Sequence, residues 1–254
     1  MSGHSKWATI KHRKGAADKA RGKLFARVLR QVEVAAREGG GDLDANPTLR
    51  TMYQKARDAS IPTDTIDRAV KRGTGELEGV RYEAVTYEGY APCGVAVYVE
   101  ALTDNRNRTG AEVRTAFSKN GGSAAEPGAV AWQFERKGVL MVRKASEGPT
   151  ADEDELMMVA LEAGAEDISD QGDVWQVTTA ATDLARVRDG LEAAGVLSES
   201  AELTMLPTTT VALETEGDAR RVLKVIDALE DQDDVQAVYS NFDIPDDVLA
   251  AVEA

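Results

Sequence analysis

Cysteine and histidine are almost absent from this chain. The 254 residues contain one cysteine, Cys93, so no disulfide can form within a single chain and a thiolate metal cluster is excluded. His4 and His12 are the only two histidines. Neither has acids or thiols at the spacing of a zinc site, and no later histidine is available for a Ser-His-Asp relay. We therefore expect a protein that is not an enzyme, with no cofactor, no metal and no small-molecule substrate.

Long apolar runs are missing as well. No stretch approaches the ~18 consecutive apolar residues that would suggest a membrane span, and the first residues lack the apolar segment of a signal peptide. The composition, with 43% hydrophobic and 29% charged residues, is ordinary for a globular protein. These absences predict a cytoplasmic protein with no membrane partner.

The charge of the chain is divided unevenly along its length. The formal net charge is −14, yet residues 1–81 contain 17 Lys or Arg against 10 Asp or Glu. The remaining residues contain 13 basic against 34 acidic side chains. A basic N-terminal third can meet a polyanion, while the acidic remainder restricts which face approaches it. The sequence therefore predicts a nucleic-acid partner for the N-terminal region.

A helix is predicted from about Ala16 to Arg37, where Glu38 and three glycines end it. At about 100° per residue its apolar side chains cluster on one side and its cations on the other. The cationic face consists of Lys19, Lys23, Arg27, Arg30 and Arg37. It is either a solvated helix face or a surface for a polyanion. Few acids stand at i,i+4 to neutralise it, which favours the polyanion.

The residues before this helix form a basic arm, 1–15, which we expect to be flexible in isolation. Its candidate nucleic-acid contacts are Lys6, Trp7, Lys11, His12, Arg13 and Lys14. The indole of Trp7 could stack on a base or anchor the arm to the helices that follow. Lys19, Lys23, Arg27 and Arg30 extend the same set of candidates into the helix.

The pattern of elements predicts an α+β protein with three parts. Two short helices follow the basic one and complete a three-helix domain, 1–79 with the arm. Residues 137–206 follow the order β-α-β-β-α-β, which is ferredoxin-like. Strands predicted at 82–88, 95–102, 130–134, 209–213 and 235–240 flank this unit. We therefore predict a discontinuous α/β domain, 80–136 plus 207–254, with the ferredoxin-like unit inserted.

The block Thr103–Thr109 lies where a strand passes into a helix. In a structural interpretation Thr109 caps the helix and forms a capping box with Glu112. In a functional one, Asn105, Arg106, Asn107 and Arg108 hold a phosphate through guanidinium, amide and backbone N–H groups. Both interpretations stay open. The acidic run 230–234 lacks the spacing of a calcium loop, so we expect a solvated turn or, as a weaker idea, a surface for a basic partner protein.

Several motifs together resemble the YebC/PmpR family of probable transcriptional regulators, whose mitochondrial relatives are described as translational activators. They include Gly3-His4-Ser5-Lys6-Trp7, the block Thr103–Thr109, Phe117-Ser118-Lys119-Asn120-Gly121-Gly122 and Tyr239-Ser240-Asn241-Phe242-Asp243. Cys93 stands where glycine is expected, and Gly110 where a larger residue is usual. The resemblance implies a three-domain α+β protein, helical at its N-terminus, that binds nucleic acid and regulates gene expression.

The functional hypothesis is a DNA-binding regulator of transcription that acts through its basic N-terminal domain. The alternative is a ribosome-associated translation factor that binds ribosomal RNA with the same cations. The sequence leaves open DNA against RNA, sequence specificity, the target genes or messages and the oligomeric state.

Overall fold

The structure, a computed structural model, describes residues 18–145, 150 and 152–253. The candidate contacts Lys6, Trp7, Lys11, His12, Arg13 and Lys14 lie outside the described residues. The helices are α1 (Asp18–Gly39), α2 (Pro47–Asp58), α3 (Thr63–Thr74), α4 (Arg106–Lys119), α5 (Glu153–Ala163), α6 (Leu184–Ala193), α7 (Glu216–Glu230) and α8 (Asp246–Glu253). The strands are β1 (Glu83–Tyr90), β2 (Ala96–Thr103), β3 (Ser123–Ala125), β4 (Phe134–Arg143), β5 (Asp167–Asp170), β6 (Val174–Ala180), β7 (Ser198–Pro207), β8 (Val211–Ala212), β9 (Val235–Ser240) and β10 (Phe242–Asp243).

Helices α1–α3 form a bundle around their own apolar core. Asn46 fixes the turn into α2, because its side chain accepts from Leu49 N at 3.0 Å and donates to Ala35 O at 2.9 Å. The proline that follows it suits the first helical position. The buried core residues are Val28, Val32, Ala35, Ala36, Leu49, Ala56, Ile61, Ile66 and Ala69. The apolar side of α1 is therefore the side that the sequence predicts.

A four-stranded antiparallel sheet, in the order β3-β1-β2-β9, follows the bundle. Helices α4 and α7 cover one face, and Phe117 and Ile226 are fully buried there. Strand β9 pairs with β2 through Val97↔Ser240 and Val99↔Val238. The sheet therefore combines strands that come before and after the second sheet in the sequence. The short strands β8 and β10 form a separate parallel pair.

The second sheet has the order β5-β6-β4-β7, and each neighbouring pair is antiparallel. With α5 and α6 on one face, this is the ferredoxin-like arrangement that the order of elements predicts. Its core is separate from the other two and includes Leu140, Leu156, Val177 and Leu191. The α+β fold class is thus confirmed, while the exact domain boundaries stay a prediction.

One predicted strand is wrong. Residues 130–134 do not form a strand; Ala131–Gln133 is a 3-10 turn and the next strand begins at Phe134. The cause is Glu88, whose buried carboxylate accepts N–H groups of Gly128, Val130 and Ala131 at 2.6, 2.6 and 2.8 Å. A backbone N–H that donates to a side chain cannot also form the ladder of a sheet. The edge strand of the first sheet is instead β3, at Ser123–Ala125.

Within the described residues, no helix combines the length and the apolarity that crossing a membrane requires.

Candidate nucleic-acid interface

The cationic face of α1 lies against residues 230–234, the turn between α7 and β9. We call these residues the acidic turn, and Lys23, Arg27 and Arg30 the α1 cations. Lys23 Nζ donates to Asp231 Oδ1 at 2.6 Å and to Asp231 O at 2.9 Å. Arg27 donates to the backbone carbonyl of Glu230. The three cations are half-buried in this contact, which joins residues about 200 positions apart in the sequence.

Arg30 continues the contact to the end of the acidic turn. Its Nη1 donates to Asp233 O at 2.6 Å and to Asp234 Oδ1 at 3.1 Å. The guanidinium also lies 5.3 Å from the ring centroid of Tyr82, within the range of a cation–π contact. Tyr82 precedes β1, so Arg30 joins the bundle to both the turn and the start of the first sheet.

Asp234 joins the two groups of cations that the sequence predicts separately. Its Oδ2 accepts from Arg108 Nη2 at 2.6 Å, while its Oδ1 accepts from Arg30 of α1. Thr109 Oγ1 donates to the same Oδ2 at 2.6 Å. The residue is only 3% exposed. The α1 face and the block Thr103–Thr109 therefore meet at one buried carboxylate.

The surroundings of Asp234 favour the ionised form of its carboxylate. Burial raises the pKa of Asp234, but the hydrogen bonds from Thr109 and Arg108 and the charges of Arg108 and Arg30 outweigh it and hold the pKa below its usual range. The pKa of Arg108 is raised in turn, chiefly by its hydrogen bonds to Asp234 and Asp104. By contrast, burial lowers the pKa of Arg27 despite the nearby Glu230. At Arg27 burial thus outweighs the charges of the acidic turn.

Helix α4 begins earlier than the sequence suggests. Asn105 is its N-cap, and the Asn105 side chain accepts from Arg108 N at 3.1 Å. The predicted cap, Thr109, is instead buried in the first turns of the helix, where its hydroxyl donates to the carboxylate of Asp234. The prediction of a capping box at Thr109 is therefore wrong, because the threonine hydroxyl donates to Asp234 of the acidic turn, 125 residues away.

The four candidate residues of the block are placed differently. Arg106 is the most open, with 67% of its side chain exposed and Glu83 Oε2 at 3.8 Å. Arg108 is 45% exposed and also pairs with Asp104 Oδ1 at 2.8 Å. Asn105 and Asn107 are both exposed, although the Asn105 oxygen is used as the cap. Arg106 and Asn107 are therefore the side chains of this block that are most available to a ligand.

Comparisons with known proteins identify the family. The model described as the TACO1/YebC protein N-terminal domain matches residues 5–76. The model described as the TACO1/YebC second and third domain matches residues 82–242. The chain belongs to the TACO1/YebC family.

Similar proteins of this family extend over the whole chain. A relative from Kineococcus radiotolerans is 55% identical over 254 residues, covering 100% of this chain and 99% of the relative. One from Rubrobacter xylanophilus is 56% identical over 253 residues, covering 99% of each. Both are named probable transcriptional regulatory protein. A crystal structure of a conserved hypothetical protein from Aquifex aeolicus has a TM-score of 0.79 and 47% identity, and the match covers 90% of this chain and 93% of that one. The predicted resemblance to the YebC family is thus confirmed.

Two expectations about charge need correction. The sequence suggests an α1 face without acidic partners, whereas the acidic turn supplies them from the other end of this YebC-family chain. The acidic run does form a turn between a helix and a strand in which Asp231 and Asp233 are exposed, but Asp234 is buried, and a separate basic protein as partner stays a prediction. The basic partner observed is α1 of the same chain. Charge complementarity between the two segments is the physical reason.

Other predicted cations occupy different positions. Arg37 lies away from the acidic turn; it pairs with buried Glu33 at 3.7 Å and donates to Val80 O at 3.2 Å. Glu33 also accepts from Arg72 at 2.9 Å, so Arg37 takes part in the bundle's own ion pairs. Lys19 belongs to the first turn of α1. The nucleic-acid role of all the candidate residues stays a prediction.

Sequence reasoning missed Asp234 and Tyr82 as parts of this site. The sequence offers little signal for Asp234: it directly precedes a strand, but it stands in a polar run that is typical of a solvated turn. Nothing in the local sequence indicates which cations such an acid meets, because Arg30 and Arg108 lie 204 and 126 residues away.

Proposed function

We propose that this chain is a nucleic-acid-binding regulator of gene expression that acts through its basic N-terminal region. The observation that supports this most directly is the shared carboxylate of Asp234, because it gathers Arg30 of the bundle and Arg108 of the α4 block onto one surface. The relatives' names, probable transcriptional regulatory protein, support the same role.

The proposed contacts are to phosphate. Arg106 and Arg108 are substantially exposed at the start of α4, where backbone N–H groups and the helix dipole also favour an anion. The α1 cations and the arm cations Lys6, Lys11, Arg13 and Lys14 would extend this surface along the backbone of a nucleic acid. Contacts of this kind fix position rather than sequence. We therefore expect binding that depends steeply on salt, with little sequence preference.

Duplex DNA is the ligand that the relatives' names suggest. Ribosomal RNA is the second candidate, in a translational role. The distribution of charge favours it, since 34 acids against 13 bases outside residues 1–81 would repel a long bare duplex on most approaches. A compact RNA site that admits only the basic end would avoid this repulsion.

The test is a binding titration by fluorescence anisotropy with the full chain, a labelled DNA duplex and a labelled RNA hairpin, at several salt concentrations. We expect Arg106→Glu to weaken binding about tenfold and to lower the salt slope, because it replaces an exposed phosphate contact with a repelling charge. The matched control is Arg188→Glu on α6, an equally large charge change at a 51% exposed residue of the separate ferredoxin-like unit.

The control variant should bind within about twofold of the unaltered chain, since screening limits distant charges. Absence of binding to both probes at low salt, or equal weakening by the two variants, would contradict the proposal. Co-sedimentation with ribosomes on a sucrose gradient then separates the two candidates: association that survives DNase treatment and is lost with Arg106→Glu supports the ribosomal one.

A further inference from the structure

We propose that the acidic turn competes with nucleic acid for the α1 cations, so that a nucleic acid engages α1 only after the bundle separates from the turn. This inference rests on the proposed function and specifies how the same site is regulated. In the structure as it stands, the three α1 cations already donate to oxygens of residues 230–234.

The turn presents the chemistry that a nucleic-acid backbone would present. It offers the carboxylates of Asp231 and Asp234 together with backbone carbonyl oxygens, closely spaced along one edge of α1. Phosphate oxygens make the same charge-assisted hydrogen bonds with lysine and arginine. A nucleic acid that takes the same donors of Lys23, Arg27 and Arg30 therefore has to displace the turn.

We call the contact between the α1 cations and the acidic turn the seam, and three features of it favour separation. In the part of the chain that the structure describes, the core of the bundle and the core under the first sheet share no residue, so each part has its own apolar core. At the seam Arg27 Nε is buried without a hydrogen-bond partner among the described residues. An open groove of about 340 Å³ also runs along it, lined by Gly22, Lys23, Ala26, Arg27, Arg30 and Asp233. An incompletely satisfied ionic contact of this kind contributes little net stability.

Asp234 keeps most of its hydrogen bonds when the bundle separates from the acidic turn. Its other partners are Arg108 and Thr109 of α4 and Thr103 at the end of β2. Both elements share a core with β9 and so stay beside Asp234. Only Arg30 departs with the bundle. The carboxylate therefore keeps two close hydrogen bonds of 2.6 Å in the open form, and Arg108 stays fixed at the edge of the exposed cationic surface.

The test compares two double variants of the full chain with the same change in net charge. Asp231→Asn with Asp233→Asn weakens the turn as a competitor. Glu155→Gln with Glu162→Gln removes two exposed acids from α5 in the ferredoxin-like unit. If only a fraction of the chain is open, the apparent Kd exceeds the intrinsic one by the inverse of that fraction. We expect the turn variant to bind the duplex or the hairpin about fivefold more tightly or better, and the control to change less than about twofold.

A second measurement reports the separation itself. Dyes on cysteines that replace exposed Gln54 of α2 and exposed Glu192 of α6, with Cys93→Ser to remove the native thiol, give energy transfer between the bundle and the ferredoxin-like unit. We expect energy transfer to fall when nucleic acid is added, and to be lower from the start in the turn variant. Circular dichroism of each variant checks that it is folded.

The outcomes distinguish this inference from the proposed function. Binding without a change in energy transfer, or a turn variant that binds no more tightly than the control, overturns the competition while the nucleic-acid role stands. Failure of every variant to bind, with the turn variant open by energy transfer, overturns the proposed function itself.

Discussion

At the scale of single residues, Asp234 shows how a buried charge is kept ionised. An isolated carboxylate in an apolar surrounding would take up a proton, but this one accepts hydrogen bonds from Arg108, Thr109 and Arg30. Removing it would take a buried charged acceptor from two guanidinium groups, leaving Arg108 with exposed Asp104 and Arg30 with the carbonyl of Asp233. Its substitution should therefore lower the free energy of unfolding more than substitution of an exposed acid with the same partner.

Asp104 supplies the comparison, because it also accepts from Arg108 Nη2 but is 37% exposed. We expect Asp234→Asn to lower the free energy of unfolding by about 3 kcal/mol, since it breaks a buried charge network. Asp104→Asn should cost less than about 1 kcal/mol, as surface ion pairs do. Urea denaturation of both variants measures the difference, and equal costs would contradict the assigned burial of the network.

The pH dependence of the same variant has a definite sign. The folded-state pKa of Asp234 is below its usual value, so ionisation stabilises the fold at pH above the unfolded pKa of about 3.9. This contribution is lost as the pH falls through the lower, folded pKa. The difference in unfolding free energy between the unaltered chain and Asp234→Asn should thus shrink between pH 6 and pH 3. A difference that grew on acidification would show that the carboxylate is protonated in the fold.

At the scale of elements, the crossing of α1 and α3 depends on Gly73. A Cβ there would lie 2.4 Å from Glu33 O and 2.7 Å from Ala36 Cβ, which the two helices cannot accommodate without moving apart. We expect Gly73→Ala to destabilise the bundle by about 1–3 kcal/mol, although alanine is the better helix former. Thermal unfolding followed by circular dichroism measures this.

Gly110 in α4 is the matched control. A Cβ at this position would meet Arg114 Nη1 at 3.4 Å and Tyr87 Cε1 at 3.5 Å, which are ordinary contacts. Gly110→Ala should therefore stabilise the chain by up to ~1 kcal/mol through helix propensity alone. The two substitutions are chemically identical and should have opposite signs; the same sign for both would refute the close crossing at Gly73.

Local patterns predict most elements well. The apolar stripe of α1, the caps around α2 and the order of the ferredoxin-like strands all follow from spacing and turn residues, which act over a few positions. The failures share one cause. Glu88 takes N–H groups about 40 residues away, and Thr109 donates to a carboxylate 125 residues away. A side chain that finds its partner on another element overrides the local signal, and periodicity carries no information about such partners.

At the scale of the whole molecule, the inserted unit should be removable. In the β4–β7 pair, Arg136 lies directly opposite Met205, so residues 137–204 leave and return at neighbouring positions. The small cluster that joins this region to the first sheet includes Val130, Phe134 and Met205 and uses no residue of 137–204. Joining Arg136 to Met205 through Asn-Gly, a favoured two-residue turn, should preserve the first sheet and the bundle.

We expect the shortened chain to be monodisperse, to unfold cooperatively and to keep the salt-dependent nucleic-acid binding of the full chain. Circular dichroism, chemical denaturation and the anisotropy assay measure these properties. A shortened chain that is unfolded would show that the first sheet needs the ferredoxin-like unit. The contact between α1 and the acidic turn, which sequence patterns could not reveal because it spans more than 200 residues, should survive in it.

The pairing of β2 with β9 also sets an order of events during synthesis. The inner edge of β2 has to wait for residues 235–240, which are made after the bundle and the inserted unit already contain all their own core residues. The acidic turn immediately precedes β9, so it too arrives late. From the synthesis of α1 until residues 230–234 emerge, the nascent chain therefore carries the positive side of α1 uncovered, next to the RNA-rich surface of the ribosome.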